Sequence, residues 1–280
     1  MPDTARINEL GGTSEGARAV AAMVADPSHC LLALDFDGVL APIVPDPDQA
    51  YALPAAIAAL SRLGGVLPLA VVTGRPARTA VRLGGLDRVE GLERLVLLGQ
   101  YGVERWDAET GEFSEPPDPE EVRQLAAELP EMLSGLGLPD VFIEDKGRAV
   151  AVHTRRTADP AAALAVIAEP LTRRATELGL HLEPGRNVLE VRSPGQDKGM
   201  ALRALVAEKH ARAVGYAGDD LGDIPAFEAV ESLRREGIAG VTVASTSDEQ
   251  QALAERADVV RRGPEGVADW LAGLADLLGR

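Results

Sequence analysis

Two aspartates stand directly after an apolar run near the start of the sequence. Residues 31–34 are Leu-Leu-Ala-Leu, and they lead into Asp35-Phe36-Asp37-Gly38. A buried strand is a poor environment for two charged groups, so the pair is expected where a strand becomes accessible at its end. Two carboxylates on alternate residues, followed by a glycine suited to a turn, form a small anionic site that calls for a cation or a proton. This pattern indicates phosphoryl-transfer chemistry.

Two more apolar runs end in polar residues. Residues 66–72 lead into Thr73-Gly74-Arg75. Residues 213–217 lead into Gly218-Asp219-Asp220, and Asp223 follows shortly after. Because ligands of a parallel sheet bind beyond the carboxyl ends of its strands, we expect these groups to form one site with the first pair. Aspartate, threonine and arginine supply hard oxygen ligands and phosphate donors, which suits Mg²⁺ rather than zinc.

The last chemically informative segment contains a lysine at the start of a predicted helix. Residues 193–199, Ser-Pro-Gly-Gln-Asp-Lys-Gly, lead into a predicted helix, which Asp197 is suited to cap. Lys198 then lies in the first turn, where a positive charge is unfavourable to the helix dipole. Since the backbone N–H groups of a first turn favour an anion, this conflict indicates a charge partner such as phosphate.

The elements that would position these groups alternate along the chain. Short runs rich in valine and leucine alternate with longer segments of alanine, leucine, arginine and glutamate, which is typical of βα units around a mostly parallel sheet. We predict strands over residues 31–34, 66–72, 94–98, 213–217 and 240–244. Apolar residues at helical spacing predict helices over residues 14–25, 54–63, 77–83, 198–210, 224–230 and 265–278. The predicted fold class is therefore α/β, with a Rossmann-like core.

The middle of the chain departs from this alternation. A proline-rich stretch at residues 114–119 is typical of a linker or hinge. A predicted helix, two strands over 141–144 and 149–153, a long helix over 158–178 and further strands follow, which indicates a smaller α+β cap domain. We predict three parts: an N-terminal helical segment over 1–28, a core domain formed by 29–113 and 186–280, and the cap domain over 114–185.

Composition and charge exclude several classes of partner. The 280 residues carry 44 acidic and 28 basic side chains, for a formal net charge of -16. Such a surface repels nucleic acids and acidic membranes, so we expect a small-molecule partner, no nucleic acid and no membrane. Cys30 is the single cysteine, which excludes an intrachain disulfide and favours the cytoplasm. The sequence leaves the oligomeric state open, with a monomer as one alternative.

The order of these motifs resembles the haloacid dehalogenase superfamily. An apolar strand with Asp-x-Asp-Gly comes first, followed by Thr-Gly-Arg, a lysine, and Gly-Asp-Asp-x-x-Asp. Further segments are similar to the trehalose-6-phosphate phosphatase family, namely residues 98–104, 144–147, 151–155, 190–192, 197–199 and 218–227. The sequence departs from the commoner family pattern at Val39, Thr154 and Gly222, which take the places of a threonine, an aromatic residue and a threonine.

The resemblance implies roles residue by residue. Asp35 would be the nucleophile that forms an aspartyl phosphate, and Asp37 the general acid and base. The residues implied for catalysis are Asp35, Asp37, Thr73 and Lys198, and those implied for Mg²⁺ are Asp35, Asp37 through its backbone carbonyl, Asp219, Asp220 and Asp223. The residues implied for substrate binding are Gly74, Arg75, Gln100, Tyr101, Glu144, Lys146, His153, Arg155 and Glu190. His153 is equally compatible with a structural hydrogen bond.

The implied function is Mg²⁺-dependent hydrolysis of trehalose 6-phosphate to trehalose and phosphate, with the cap supplying sugar contacts. Two alternatives remain open: a phosphatase for another sugar phosphate, and a non-catalytic sensor of sugar phosphates on the same fold. The chain retains Asp35, Asp37, Lys198 and Asp219 together, which argues against the sensor, because a sensor can lose its nucleophile freely.

Overall fold

The computed structural model describes residues 3–185, 187–193, 197–247, 251 and 253–280. The chain divides into two compact units. The first is formed by residues up to Glu115 and from Asp197 onward, and the second by Pro116–Gln196. Among the described residues, no helix combines the length and the apolar character needed to cross a membrane.

The strands, in chain order, are β1 (Cys30–Leu34), β2 (Leu69–Val72), β3 (Val96–Gly99), β4 (Glu104–Asp107), β5 (Phe113–Ser114), β6 (Phe142–Asp145), β7 (Ala149–His153), β8 (His181–Gly185), β9 (Val188–Arg192), β10 (Ala213–Gly218), β11 (Ala239–Thr246) and β12 (Val259–Arg262). The helices are α1 (Thr4–Gly11), α2 (Ser14–Ala25), α3 (Pro54–Gly64), α4 (Ala77–Gly84), α5 (Glu120–Gly135), α6 (Pro160–Glu177), α7 (Lys198–Glu208), α8 (Ile224–Arg235) and α9 (Gly263–Leu277).

The first unit is built on one large sheet with the strand order β12-β11-β10-β1-β2-β3-β4-β5. Neighbouring strands are parallel from β12 to β3, and β4 and β5 add an antiparallel edge. Every residue of β1, β2 and β10 is buried, as expected when helices cover both faces of a parallel sheet. The predicted α/β class with a mostly parallel sheet is confirmed.

Alternate residues of the central strand face two separate cores. Leu32 and Leu34 of β1 belong to a hydrophobic cluster shared with α2, α3 and α9. Leu31 and Ala33 belong to a second cluster shared with α7 and α8. Because successive side chains of a strand point to opposite faces, the sheet is sandwiched between two helical layers. Burial on both faces holds the carboxyl ends of the strands in place.

The N-terminal helices pack into the core of the first unit. Leu10 on α1 and Val20 and Met23 on α2 are buried in the same cluster as α9. The Trp270 indole on α9 donates a hydrogen bond to the carbonyl oxygen of Leu10 at 2.8 Å. The described part of the segment that the sequence set apart as residues 1–28 therefore contains α1 and α2, and both belong to the first unit.

The described residues of the second unit form an antiparallel sheet with the order β6-β7-β9-β8 and the helices α5 and α6. Val150 and Val152 of β7 and Val191 of β9 pack in one cluster with Leu125 of α5 and Ile167 of α6. The sequence ended the cap at residue 185, but β9 pairs with both β7 and β8 and belongs to this sheet. The observed second boundary therefore follows β9.

Candidate active site

Three polar loops meet at one edge of the sheet of the first unit. In the sheet, β1 lies between β10 and β2, and all three strands run in the same direction. Asp35 follows β1, Thr73 follows β2, and Asp219 follows β10. Their carboxyl ends are adjacent, so residues distant in the sequence are brought to one edge of the sheet, as expected for polar residues that follow neighbouring parallel strands.

A cluster of carboxylates forms the centre of this edge. Asp35, Asp219 and Asp223 each offer an oxygen atom, and these atoms lie within 4.8 Å of one another. All three side chains are buried. Gly38 has a φ of 68°, and a Cβ atom there would overlap the carboxylate of Asp219. Glycine is therefore required for the loop after β1 to pass so close to Asp219.

The electrostatics of the cluster favour a bound cation. Burial raises the pKa of Asp35, and the nearby Lys198 offsets only part of this effect. Burial also raises the pKa of Asp219, and the charges of Asp35 and Asp220 raise it further. A cation with oxygen ligands would stabilise the ionised carboxylates. The donor set of buried carboxylates thus fits a hard metal ion.

Lys198 connects two members of the cluster. Its Nζ lies 2.8 Å from Oδ2 of Asp35 and 2.8 Å from Oδ1 of Asp223, and the side chain is buried. Burial alone would lower the pKa of Lys198, but the charges of Asp223 and Asp35 outweigh it and raise the pKa. Asp197 caps α7 by accepting a hydrogen bond from the N–H of Met200. Lys198 is therefore paired with two carboxylates in this structure, and the phosphate partner that the sequence indicated stays a prediction.

Protein donors already occupy both oxygens of Asp223. Oδ1 accepts a hydrogen bond from the Tyr216 hydroxyl at 2.6 Å, in addition to the one from Lys198. Oδ2 accepts from the backbone N–H groups of Asp219 at 2.9 Å and Asp220 at 3.3 Å. Asp223 thus fixes the lysine and the backbone of the loop after β10.

Asp220 and Asp37 lie outside this carboxylate cluster. Asp220 accepts a hydrogen bond from the N–H of Gly222 at 2.8 Å and caps the turn Leu221–Asp223. Asp37 is about one third exposed, and its two oxygens accept hydrogen bonds from Arg75 at 2.6 and 2.7 Å. The predicted Asp-x-Asp pair is therefore split between a buried residue, Asp35, and a partly exposed one.

The loops after β2 and β3 are bound to each other. The N–H of Tyr101 donates to the carbonyl of Thr73 at 3.0 Å, and that of Gln100 donates to the carbonyl of Arg75 at 3.0 Å. Gln100 and Tyr101 adopt φ angles of 50° and 61°, a region that residues with side chains rarely adopt. A Cβ atom on Gly74 would lie 3.0 Å from the Tyr101 ring. Gly74 therefore allows the tyrosine to pack closely on this loop.

Four of the substrate candidates in the second unit form a polar cluster on its sheet. Nε2 of His153 lies 2.8 Å from Oε2 of Glu144. Nζ of Lys146 lies 2.6 Å from Oε2 of Glu190 and 3.9 Å from Oε2 of Glu144. We call Glu144, Lys146, His153 and Glu190 the second-unit cluster. Arg155 lies in an exposed turn after β7, outside the contacts that define this cluster.

Sequence reasoning missed two residues that support the site. Tyr216 lies within the apolar run of β10, and its hydroxyl binds Asp223. Ser245 at the end of β11 donates a hydrogen bond from its hydroxyl to the carbonyl of Gly38 at 2.5 Å. A tyrosine in a buried strand and a serine near a strand end are common, so the sequence held no signal for either contact. The first contact joins β10 to the turn that follows it, and the second joins segments that are 207 residues apart.

Solved structures with this architecture define the class of protein. A trehalose-6-phosphate phosphatase from Aspergillus fumigatus superposes with a TM-score of 0.68 and 21% identity, over 92% of this chain and 97% of that structure. A haloacid dehalogenase-like hydrolase from Bacteroides thetaiotaomicron gives a TM-score of 0.61 at 17% identity, over 87% of this chain and 98% of that structure. The protein has the haloacid dehalogenase-like α/β fold.

Sequence comparison identifies the family within this class. The trehalose-phosphatase family model matches residues 33–260. The trehalose-phosphate phosphatase of Mycobacterium avium (strain 104) is 31% identical over 262 residues, which is 90% of this chain and 63% of that protein. That of Mycobacterium marinum is 31% identical over 254 residues, or 87% and 61%. The chain belongs to the trehalose-phosphatase family, as the motifs predicted, and spans about three fifths of the length of these relatives.

Proposed function

We propose that the protein is a metal-dependent phosphatase that hydrolyses trehalose 6-phosphate to trehalose and phosphate through an aspartyl phosphate. One observation carries this proposal. Asp35 is a buried carboxylate held 2.8 Å from the ammonium group of Lys198, with Asp219 in the same cluster. A carboxylate that is fixed beside a cation, and beside another carboxylate able to bind a metal ion, is suited to attack an anionic phosphoryl group.

The chemistry divides into two displacements at phosphorus. Asp35 attacks the phosphoryl group, the bond from phosphorus to the sugar oxygen breaks, and Asp37 protonates the departing sugar oxygen. Water then attacks the aspartyl phosphate, Asp37 takes its proton, and the carboxylate of Asp35 is regenerated. Thr73 and Lys198 donate hydrogen bonds to the oxygens of phosphate that do not react.

The proposed metal is Mg²⁺. Asp35, Asp219 and the backbone carbonyl of Asp37 would hold it, with Asp220 and Asp223 as further candidates. When bound, it would neutralise the repulsion between a carboxylate nucleophile and a phosphate dianion. Because Asp223 already accepts protein hydrogen bonds at both oxygens, we propose that it acts mainly by fixing Lys198 and the loop after β10.

A substrate panel tests the proposed function. We expect phosphate release from trehalose 6-phosphate in Mg²⁺, well above that from glucose 6-phosphate and other sugar phosphates, and loss of release in excess chelator. Hydrolysis of another sugar phosphate with none of trehalose 6-phosphate would favour the phosphatase of different specificity. Binding of sugar phosphates without hydrolysis of any would favour the sensor. Activity that persists in excess chelator would contradict the metal.

We further propose that the second-unit cluster binds the sugar. Glu144, Lys146, His153 and Glu190 offer paired donors and acceptors that match vicinal hydroxyl groups, and they already form hydrogen bonds with each other. In the first unit, the loop residues Gly74, Gln100 and Tyr101 are proposed substrate contacts, and Arg155 remains one in the second unit. Hydrogen bonds to charged groups contribute about 1.5–3 kcal/mol each, so these contacts can set specificity.

Replacement of one carboxylate of the second-unit cluster is expected to affect the sugar selectively. Glu190→Gln should raise KM for trehalose 6-phosphate about tenfold, since it weakens a charged hydrogen bond. Turnover of p-nitrophenyl phosphate, which has no sugar, should change by less than about twofold, and both are measured by steady-state kinetics. Glu177→Gln is the matched control, because Glu177 is an exposed glutamate of the same unit that pairs with Arg174. Equal losses on both substrates would contradict a sugar contact.

A further inference from the structure

We propose that Arg75 is a positioning residue that orients the carboxylate of Asp37 for the second displacement, in which Asp37 takes a proton from water. This inference rests on the proposed function and deepens it. It departs from the sequence-based expectation, which assigned Arg75 to the substrate. The geometry of the arginine, described next, supports the new role.

Protein groups hold the guanidinium of Arg75 on three sides. Nε donates to Oδ2 of Asp37 at 2.6 Å, and Nη2 donates to Oδ1 at 2.7 Å. Nη1 donates to the carbonyl of Pro47 at 2.9 Å. The guanidinium carbon lies 5.8 Å from the centre of the buried Phe36 ring. The arginine side chain is 14% exposed, whereas that of Asp37 is 35% exposed, so the arginine is the more buried partner of the pair.

The backbone of Arg75 is held as firmly as its side chain. Its N–H donates to Oγ1 of the buried Thr73 at 3.2 Å, and its carbonyl accepts from the N–H of Gln100 at 3.0 Å. The side chain therefore leaves the loop after β2 from a fixed point. A bidentate arginine and carboxylate pair also fixes the plane of the carboxylate, which a single hydrogen bond would not.

The pairing leaves acceptor positions on the Asp37 carboxylate free for a water molecule. A carboxylate has about four acceptor positions, and the two hydrogen bonds from Arg75 use one on each oxygen. The exposure of Asp37 gives water access to the remaining positions. Without Arg75, a partly exposed aspartate would sample several rotamers. The fraction of time in which it faces the attacking water would fall, and small misplacements of a catalytic group are costly.

The step that depends on this orientation is hydrolysis of the aspartyl phosphate. The oxygen of a water molecule forms a bond to phosphorus, and the bond from phosphorus to the Asp35 oxygen breaks. The electron pair of that bond returns to the Asp35 carboxylate. The proton of the water moves to Asp37, which passes it to the departing sugar oxygen in the next turnover. No oxidant, reductant or further reactant is needed.

An aryl phosphate separates this step from the first one. The p-nitrophenolate group leaves without taking a proton, so kcat/KM for p-nitrophenyl phosphate reports phosphate binding and attack by Asp35. The value of kcat includes hydrolysis of the aspartyl phosphate. Arg75→Met keeps an unbranched aliphatic side chain but removes all five N–H donors. We expect kcat to fall on the order of tenfold or more, kcat/KM to fall less than about threefold, and a burst of p-nitrophenolate to appear.

Three further variants test whether Arg75 affects kcat through the orientation of Asp37. Arg75→Lys keeps the charge but cannot form the bidentate pair, so its kcat should lie between those of wild type and Arg75→Met. Arg82→Met removes an arginine that pairs with Asp48 in the turn that also contains Pro47, and it should leave kcat within about twofold. In an Asp37→Asn background, Arg75→Met should lower kcat no further, because both changes act on one group.

The outcomes are distinguishable. A loss of kcat/KM equal to that of kcat, with no burst, would show that Arg75 acts in the transition state of the first displacement, and it would overturn the inference while leaving the phosphatase intact. A large additional loss in the Asp37→Asn background would also overturn it. Thermal melting of each variant checks that it is folded. If the wild-type protein hydrolyses no phosphate ester and forms no phosphoenzyme, the proposed function fails and the inference fails with it.

Discussion

Asp35→Asn is expected to abolish phosphate release from every substrate that the wild-type protein hydrolyses. The loss should be on the order of 10⁴-fold or more, because the aspartyl phosphate cannot form without the nucleophile. Asparagine keeps the shape of the side chain and an oxygen for the N–H of Phe36, which donates to Oδ1 of Asp35 at 2.7 Å. The site should therefore keep its structure while losing its reactive group.

Phosphate release and trapping of a phosphorylated protein measure this effect together. Asp35→Asn should give neither signal. Asp87→Asn, which changes an exposed aspartate near Arg88, should match wild type within about twofold. Phosphoprotein formation at the wild-type level in Asp35→Asn would transfer the nucleophile to another carboxylate of the cluster, Asp219 or Asp223, and would contradict the proposed mechanism.

The position of the site was predictable from the sequence because it depends on strand ends. The predicted strand over 31–34 and the helix over 14–25 agree closely with β1 (Cys30–Leu34) and α2 (Ser14–Ala25). Continuous apolar runs identify parallel strands buried on both faces, and polar residues at their carboxyl ends must then lie at one edge. The convergence of these residues depends on which strands are neighbours and not on where each strand begins, so errors of a few residues in the predicted bounds do not change it.

Several elements carried too weak a pattern to be predicted. Strand β4, Glu-Arg-Trp-Asp, contains one apolar residue, and β12, Val-Val-Arg-Arg, is short and half charged. Strand β12 is an edge strand, and β4 lies next to the two-residue edge strand β5, so both lie away from the buried centre of the sheet, where burial leaves a stronger pattern in the sequence. Strand β2 begins at Leu69 rather than at residue 66, because Pro68 cannot donate a hydrogen bond to a neighbouring strand.

Sequence patterns could not identify the partners of the charged residues. The unfavourable position of Lys198 in the first turn of its helix predicted a nearby anion. It could not show that the anions beside the lysine are the carboxylates of Asp35 and Asp223. Likewise, Thr-Gly-Arg marks a loop, while the pairing of Arg75 with Asp37 depends on how two loops from neighbouring strands approach each other. Charge patterns thus predict that a partner exists, and the fold decides which one it is.

Lys198→Met is expected to lower the free energy of unfolding of the metal-free protein by about 3–5 kcal/mol, because it leaves a buried charge without its partner. Lys198 is the cation between Asp35 and Asp223, and its side chain is 4% exposed. Denaturation with urea in excess chelator measures the loss. Lys209→Met is the matched control on the C-terminal cap of the same helix, where a 28% exposed lysine pairs with Glu208 and contributes about 0–1 kcal/mol.

A second substitution shows whether repulsion between carboxylates causes the loss. Asp223→Asn added to Lys198→Met removes the Asp223 carboxylate, which loses its cation in Lys198→Met, so the double variant should be more stable than Lys198→Met alone. Mg²⁺ should also restore part of the stability of Lys198→Met, because a cation bound by Asp35 and Asp219 replaces some of the missing positive charge. A loss below about 1 kcal/mol in Lys198→Met would show that the folded protein does not hold these carboxylates ionised around the lysine. That result would contradict the proposed pairing of Lys198 with the nucleophile Asp35.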